Sequence, residues 1–414
     1  MSAGLADVAV VRSEVVRSRM GARGASMRWL WPGATDVALT SAGAFGLDFS
    51  GAALAEAGAV GRGRQVEPAG TNLVTNPSFE TGTAGWASFN GASIAQDGGD
   101  ARFGSSSLLV TTPGSVGDEG ATQSALIAVS PSTTYTCSMW FAGASGNVHI
   151  NLNAYTGGGA YVTTHFGPST ALTGAWQRIA FTFTTGATTG QVDLYALTFG
   201  AQAMSFRVDG VQLEVGAYAS STIDGSLGSG YAWTGTAHAS SSTRAASRVR
   251  AASWALDARR GAVAAWVRPA WGSGGAPAAP RLLRVAPSAN EALDLLFDHA
   301  TGRWRFDSTH GGVTDSVASA VDSFSGGASK VVVASWAATR IGISVDGGAP
   351  VTAARAAGVP VLGATPIDFG SIDGASGHLD GVIGPIAIFD RPLDLHELAI
   401  VGRLARPLGW RELG

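Results

Sequence analysis

From Thr71 onward the chain is written in short runs that alternate apolar and polar residues, separated by breaks rich in glycine, serine and threonine. The runs are Ser106 to Val110, Tyr135 to Phe141, Asn147 to Tyr155, Trp176 to Thr184, Gln191 to Phe199 and Phe206 to Leu213. Period-two alternation places one side of a strand in a core and the other toward solvent. Repeated at short intervals with turn residues between, it predicts an antiparallel β-sandwich over residues 71–216. In the second run Tyr135, Cys137, Met139 and Phe141 share the core face, which turns Trp140 outward beside Thr136 and Ser138. In the third, Val148, Ile150, Leu152 and Ala154 go inward, while His149, Asn151, Asn153 and Tyr155 go outward.

A second series opens with Gly261 to Pro269 and continues through Leu293 to Phe297, Trp304 to Phe306, Val331 to Trp336 and Arg340 to Asp346. Asp346-Gly347-Gly348 reads as a tight turn between strands. Asp394-Leu395-His396-Glu397-Leu398 reads as a short helix after the last strand. This series predicts a second sandwich over residues 246–405, followed by a tail at 406–414.

Two stretches lack that pattern. Residues 217–245 are mostly Gly, Ser, Thr and Ala, with Tyr218, Ile223, Leu227, Tyr231 and Trp233 as the large apolar groups. So little apolar surface cannot build a core, which predicts a connector pinned at a few points. Residues 1–70 are broken repeatedly by glycine, with aromatic clusters at Trp29-Leu30-Trp31 and Phe45 to Phe49. They read either as an attachment segment that orders against a partner or as a small β element packed on the next domain. The fold class is therefore all-β, with two antiparallel sandwiches in tandem after an irregular N-terminal segment.

Composition narrows the function. At 414 residues the chain is long enough for two or three domains. A net charge of −3 without a basic block gives no footprint for nucleic acid. No window supplies the ~20 unbroken apolar residues of a membrane span. Asp7 and Glu14 stand where a secretion signal would have a basic region and a clean apolar core. The single Cys137 excludes an internal disulfide and reads as a buried, inert thiol.

Three passages carry a family resemblance. Thr71-Asn72-Leu73-Val74-Thr75-Asn76-Pro77-Ser78-Phe79-Glu80, followed by Gly82, Gly85 and Trp86, resembles the opening of jelly-roll carbohydrate-binding modules. Leu379 to Leu393 resembles the last strand of laminin-G/concanavalin-like sandwiches. The joint from Val208 to Arg244 resembles the one in minor tail proteins of tailed bacteriophages, especially those of actinobacterial hosts. The resemblance implies two jelly-roll domains, a place in the virion tail assembled in the host cytoplasm, other tail proteins as partners and self-association. It also implies a structural calcium near Glu80 and Asp209, although Asp209 also reads as a plain turn residue.

Hydrolysis finds little support. A retaining glycosidase needs two carboxyls about 5 Å apart. Glu291 and Asp294 fall on opposite faces of their run, and Asp294 and Asp298 lie about 13 Å apart along it. No GxSxG elbow or HExxH motif occurs. Sugar binding is better served: Trp140 offers a stacking ring, and His149, Asn151, Asn153 and Tyr155 offer hydrogen-bonding groups. Trp271, in a loop, is a second stacking candidate. The expectation is a non-catalytic virion component that binds host cell-wall glycan. The alternatives are a secreted polysaccharide-active enzyme or its accessory modules, and a purely architectural tail or head-fibre part.

Overall fold

The computed structural model describes residues 27–30, 47–50, 64–251, 256–275, 277, 279–372, 374 and 376–403. The expected tail at 406–414 lies outside the described residues. The chain forms two compact units, one of Ala69–Ala245 and one of Met1–Pro68 with Ala246–Gly414. Both are antiparallel β-sandwiches, so the all-β expectation holds.

In the 69–245 unit, one five-stranded sheet runs in the order Gln177–Thr184, Thr134–Ala142, Ala203–Val215, Ser107–Pro113, Ser93–Asp97. The facing sheet runs Tyr161–Phe166, Asn147–Thr156, Thr189–Thr198, Gly120–Gln123, Trp86–Phe89. Between them lie the residues that alternation assigned inward: Cys137, Met139, Phe141, Ile150 and Leu152 are each fully buried. Burial in this core pushes the Cys137 thiol above its usual range, which keeps it protonated and inert.

Asn72 closes this sandwich. Its Nδ2 donates to Val211 O (2.8 Å) and Ile223 O (3.1 Å), and its Oδ1 accepts from Val74 N (3.1 Å) and Leu213 N (3.0 Å). One buried amide thus ties the opening passage to the last long strand and to the stretch after it. The residues 217–245 expected as a connector are part of this unit. Their polar residues are buried against it: Ser220 donates to Glu214 through its N–H (2.8 Å) and Oγ (2.5 Å), and Arg244 Nη1 donates to Ser221 Oγ (2.7 Å). Tyr231–Trp233, Ser242–Arg244 and Gly70–Asn72 make a small sheet. Hydrogen bonds replace the apolar anchors that the composition lacks, and that is why sequence hydrophobicity misplaced this segment.

In the other unit, one sheet is built on Gly381–Phe389, Gly261–Pro269, Lys330–Trp336, Arg340–Val345 and Val351–Ala354. The second is built on Arg248–Ala251, Ile367–Phe369, Arg281–Ser288, Glu291–Asp298, Arg303–His310 and Val313–Ala318. The N-terminal stretch contributes strands to both, which corrects the division at residue 70. Met27–Leu30 and Arg64–Val66 pair with Gly381–Phe389, and Leu47–Ser50 pairs with Arg248–Ala251. Each is a short strand whose ladder partner lies far away in sequence, which local periodicity cannot register. The sandwich expected at 246–405 is therefore discontinuous in sequence, with residues 69–245 inserted between its strands. The helix Leu395–Arg403 opens with a reciprocal capping box: Glu397 N donates to Asp394 Oδ1 (2.8 Å) and Asp394 N to Glu397 Oε2 (3.0 Å).

Two outcomes are expected. Asn72→Ala should destabilise the 69–245 unit by roughly 2–4 kcal/mol, because several buried backbone groups lose their partner, and calorimetry should show only that unit's transition lowered. A chain begun at residue 69 should keep the transition of the inserted unit and lose the cooperative transition of the other.

Candidate functional site

In the inserted unit, the outer face of the sheet that contains Asn147–Thr156 is laid out in cross-strand rows. One row reads Phe166, Asn151, Tyr195, Thr122, Ala87, each residue paired with the next. A second reads Thr164, Asn153, Asp193, and a third His149, Leu197, Gly120, Phe89. Tyr161 and Tyr155 pair at the end of the face. Successive residues on one face of a strand stand about 7 Å apart. The rows named here carry one carboxylate, Asp193, and neither arginine nor lysine.

Most polar groups on this face are bound to one another. Thr164 Oγ1 donates to Asn153 Oδ1 (2.6 Å), and Asn153 Nδ2 to Tyr195 Oη (3.1 Å). Asp193 Oδ2 accepts from both phenols, Tyr155 (3.0 Å) and Tyr195 (2.8 Å). Burial and then Asp193 raise the Tyr155 phenol above its ordinary range, and the same causes raise Tyr195. Both phenols therefore remain protonated donors. His149 is buried, its Nε2 3.1 Å from Asp118 Oδ1 and its ring edge-on to Phe199 at 5.3 Å.

Asn151 differs. Only 5% exposed, it keeps an Oδ1 shielded from solvent with no hydrogen-bond partner. A buried acceptor left unpaired is unfavourable by about 1–3 kcal/mol. Its row neighbour Phe166 is 68% exposed, and Tyr161 is 61% exposed. Phe89 packs edge-on against Tyr195 at 5.0 Å and steadies that ring. Exposed rings beside an unmatched acceptor on a rigid sheet suit a ligand that has flat apolar faces and hydroxyl donors.

The five residues expected to share a sugar face do not converge. His149, Asn151, Asn153 and Tyr155 lie on the face just described. Trp140 lies on the outer side of the other sheet, where the Arg102 guanidinium sits 4.3 Å from its ring centroid and Phe103 meets it edge-on at 6.1 Å. That ring is already covered. Trp271 is 1% exposed and packed on Phe297 and Phe324, with its Nε1 donating to Leu379 O (2.5 Å), so it is core. Phe166, Tyr161, Thr164, Asp193 and Tyr195 were not anticipated. The strand Tyr161–Phe166 is mostly exposed and lacks apolar alternation, and its β-branched and aromatic content was the available signal.

Glu80 and Asp209 do come together, around the loop that follows Asp97. Glu80 Oε1 accepts from the N–H groups of Ser105 and Ser106 (2.9 Å each), and its Oε2 from Ser105 Oγ (2.8 Å). Asp209 Oδ2 accepts from Arg102 N and Phe103 N (2.8 Å each), and its Oδ1 from Gly210 N (2.6 Å). Gly210 takes φ 54° at a bulge, where a Cβ would meet Phe103 at 2.7 Å. Asp209 stands opposite Trp140 on the outer side of its sheet, buried under the loop whose N–H groups it accepts, so it is more than a turn residue. Burial, with the Glu80 charge adding to it, raises the Asp209 carboxyl to about 7. Hard oxygens and uncompensated buried charge suit calcium in kind. Each carboxylate already accepts three hydrogen bonds, and among the described residues no three acidic, histidine or cysteine side chains converge, so further ligands to such an ion would be backbone oxygens or water.

Of the acids considered for hydrolysis, Asp294 and Asp298 are held by arginines and Glu291 by His310. Asp294 lies opposite Asp307 across adjacent strands. Arg281 Nε donates to Asp294 Oδ2 (3.2 Å), Arg284 binds the same oxygen, and Arg305 Nε donates to Asp307 Oδ2 (3.0 Å).

A carbohydrate binding domain profile matches residues 71–198, and a concanavalin A-like lectin/glucanases superfamily profile matches residues 241–399. The chain is thus an all-β protein that carries a carbohydrate-binding-module-like jelly roll and a concanavalin A-like sandwich. Among solved structures it is similar to the CBM22-1 xylan-binding domain of Paenibacillus barcinonensis Xyn10C, at 19% identity, over 37% of this chain and 99% of that one, with TM-score 0.30. It is similar to the CBM22-1–CBM22-2 tandem domain of the same enzyme at 14% identity, over 78% and 98%, with TM-score 0.30. It is also similar to the enzymatically active domain of bacteriophage CBA120 tailspike protein 4 at 13% identity, over 34% and 21%, with TM-score 0.28. No curated protein matches the chain.

The Asp209 carboxyl implies a pH dependence. With its pKa raised from 3.8 to about 7, the folded unit holds a proton that the unfolded chain has released. Protonation therefore favours the fold, and this contribution is lost as pH rises from about 4 to 7. The melting temperature of the inserted unit should fall between pH 5 and pH 8, and Asp209→Asn should flatten that slope.

Proposed function

We propose that the chain is a non-catalytic structural component of a phage virion, a minor tail protein, and that its inserted unit binds a neutral glycan of the host surface. The observation that carries the binding reading is the row of Phe166, Asn151 and Tyr195, in which an exposed ring flanks an unmatched buried acceptor. The match of residues 71–198 to a carbohydrate binding domain supports it. The absence of arginine and lysine from the rows of the face favours neutral sugars over acidic ones. A pyranose would stack on Phe166 and donate a hydroxyl to Asn151, while Asn153 and Asp193 hold the Tyr195 and Tyr155 phenols in place.

The virion reading rests on the resemblance of the joint from Val208 to Arg244 to phage tail proteins. Other tail proteins and further copies of the chain would be its partners. The non-catalytic reading is supported by the arginine pairing of Asp294 Oδ2 and Asp307 Oδ2, which makes both acids partners in buried ion pairs. Calcium at Glu80 and Asp209 belongs to the same proposal. The ion would neutralise two converging carboxylates and lift the melting temperature of the inserted unit at pH 8. The carbohydrate-binding match is equally compatible with an accessory module of a polysaccharide-active enzyme. Detection of the chain in purified virions by mass spectrometry separates the two readings.

Binding is tested by titrating the full chain with host cell-wall polysaccharide. Phe166→Ala and Asn151→Ala should each weaken binding at least tenfold, and Trp140→Ala should leave it unchanged. Equal binding by all four proteins would overturn this face as the site.

A further inference from the structure

The other unit holds a cavity of about 690 Å³ beside the strands Arg248–Ala251, Ile367–Phe369 and Arg281–Ser288. That is within the size range of small-ligand sites. Its charged lining is Arg250, Asp368 and Arg284, which pair in one cross-strand row, and the backbone of 361–366 forms another wall. Arg250 meets Asp368 in a two-pronged pair, Nε to Oδ1 at 2.7 Å and Nη2 to Oδ2 at 3.0 Å. Arg284 places Nη1 on Asp294, which stands on the neighbouring strand outside the lining. Among the described residues its Nε–H and Nη2–H meet no acceptor, and its side chain is 23% exposed against 7% for Asp294. The lining therefore carries two cations and one anion, with a guanidinium edge open. Glu291, whose partner across the ladder is the lining residue Ser288, is occupied by His310 Nδ1 (3.0 Å), Gly311 N (3.1 Å) and Val361 N (2.7 Å), and so anchors the loop wall.

A guanidinium edge with two open donors matches the two oxygens of a carboxylate. The rest of the lining mixes the hydroxyls of Ser288 and Thr365 with the apolar surfaces of Pro287 and Pro366, a combination that suits a sugar ring. We propose that this cavity is a second saccharide site, selective for a carboxylate-bearing sugar, a uronate, held by Arg284. The preference for an anion rests on the arginines alone, and its assignment to a sugar rests on the glycan-binding reading above. The two units would then take chemically different ligands, neutral on the Phe166 face and acidic here.

The test is calorimetric titration of the full chain with glucuronate, glucose and inorganic phosphate. Arg284→Gln and Ala364→Trp are the variants; the second places bulk at an exposed position of the cavity wall and leaves the ion pairs alone. Saturable glucuronate binding is expected, with glucose not binding and phosphate at least tenfold weaker. Each variant should lose at least tenfold in glucuronate affinity, and Phe166→Ala should lose none. No glucuronate binding, equal binding of glucose, or binding that survives both variants would overturn the site. Phosphate binding as tight as glucuronate would overturn the assignment to a sugar. Loss of glucuronate in Phe166→Ala alone would place the ligand on the other face and contradict the proposal.

Discussion

The buried side-chain amide of Asn72 is the constraint on which the inserted sandwich depends. An asparagine offers two donors and an acceptor oxygen, and here both groups are committed to backbone of three separate passages of the chain. No apolar side chain could replace it, since each backbone group it satisfies would be left dry and unpaired. The neighbouring N-P-S-F-E passage extends the closure: Ser78 Oγ donates to Asp224 Oδ2 (2.7 Å), and Asn76 Nδ2 to Gly82 O and Ala84 O (2.9 Å each). With first and last strands fixed, the register of the remaining strands sets which side chains share the outer face.

That register separates structure from function on the strand Asn147–Thr156. Val148, Ile150, Leu152 and Ala154 have no exposed surface and belong to the core. On the other side, His149, Asn153 and Tyr155 find partners within the protein, and Asn151 alone keeps an oxygen without one. A rigid sheet holds that oxygen in place beside an exposed phenylalanine, and the cost of leaving it unmatched is a reservoir that a donating ligand can relieve. In the other unit the outward row of Arg250, Asp368, Arg284 and Asp294 is made of charge. The two surfaces differ in the kind of ligand they would favour.

Much of this was legible in the sequence wherever a strand buries one face. The alternation of Tyr135 to Phe141 and of Val148 to Tyr155 predicted inward and outward residues correctly, and Gly261–Pro269 was legible to the residue. Three things were not. The short strands Met27–Leu30, Leu47–Ser50 and Arg64–Val66 pair with strands hundreds of residues away, and nothing local marks a distant partner. The stretch after Val215 is held by Glu214, Ser220, Ser221 and Arg244, so a hydrophobicity pattern sees a linker where hydrogen bonds build a domain. Trp140 faces outward as alternation requires, yet period two cannot say which of two sheets a strand joins, or that Arg102 will cover the ring. Tyr195 and Phe166 entered the face only through pairing.

The central claim is that a neutral sugar is read by the row through Asn151. The most direct measurement is a crystal structure of the full chain soaked with a neutral oligosaccharide released from the host cell wall. The account predicts a pyranose ring against Phe166, with one hydroxyl donating to Asn151 Oδ1. A sugar bound on the Trp140 side of the sandwich, or a bound sugar that leaves the Asn151 oxygen unmatched, would contradict it.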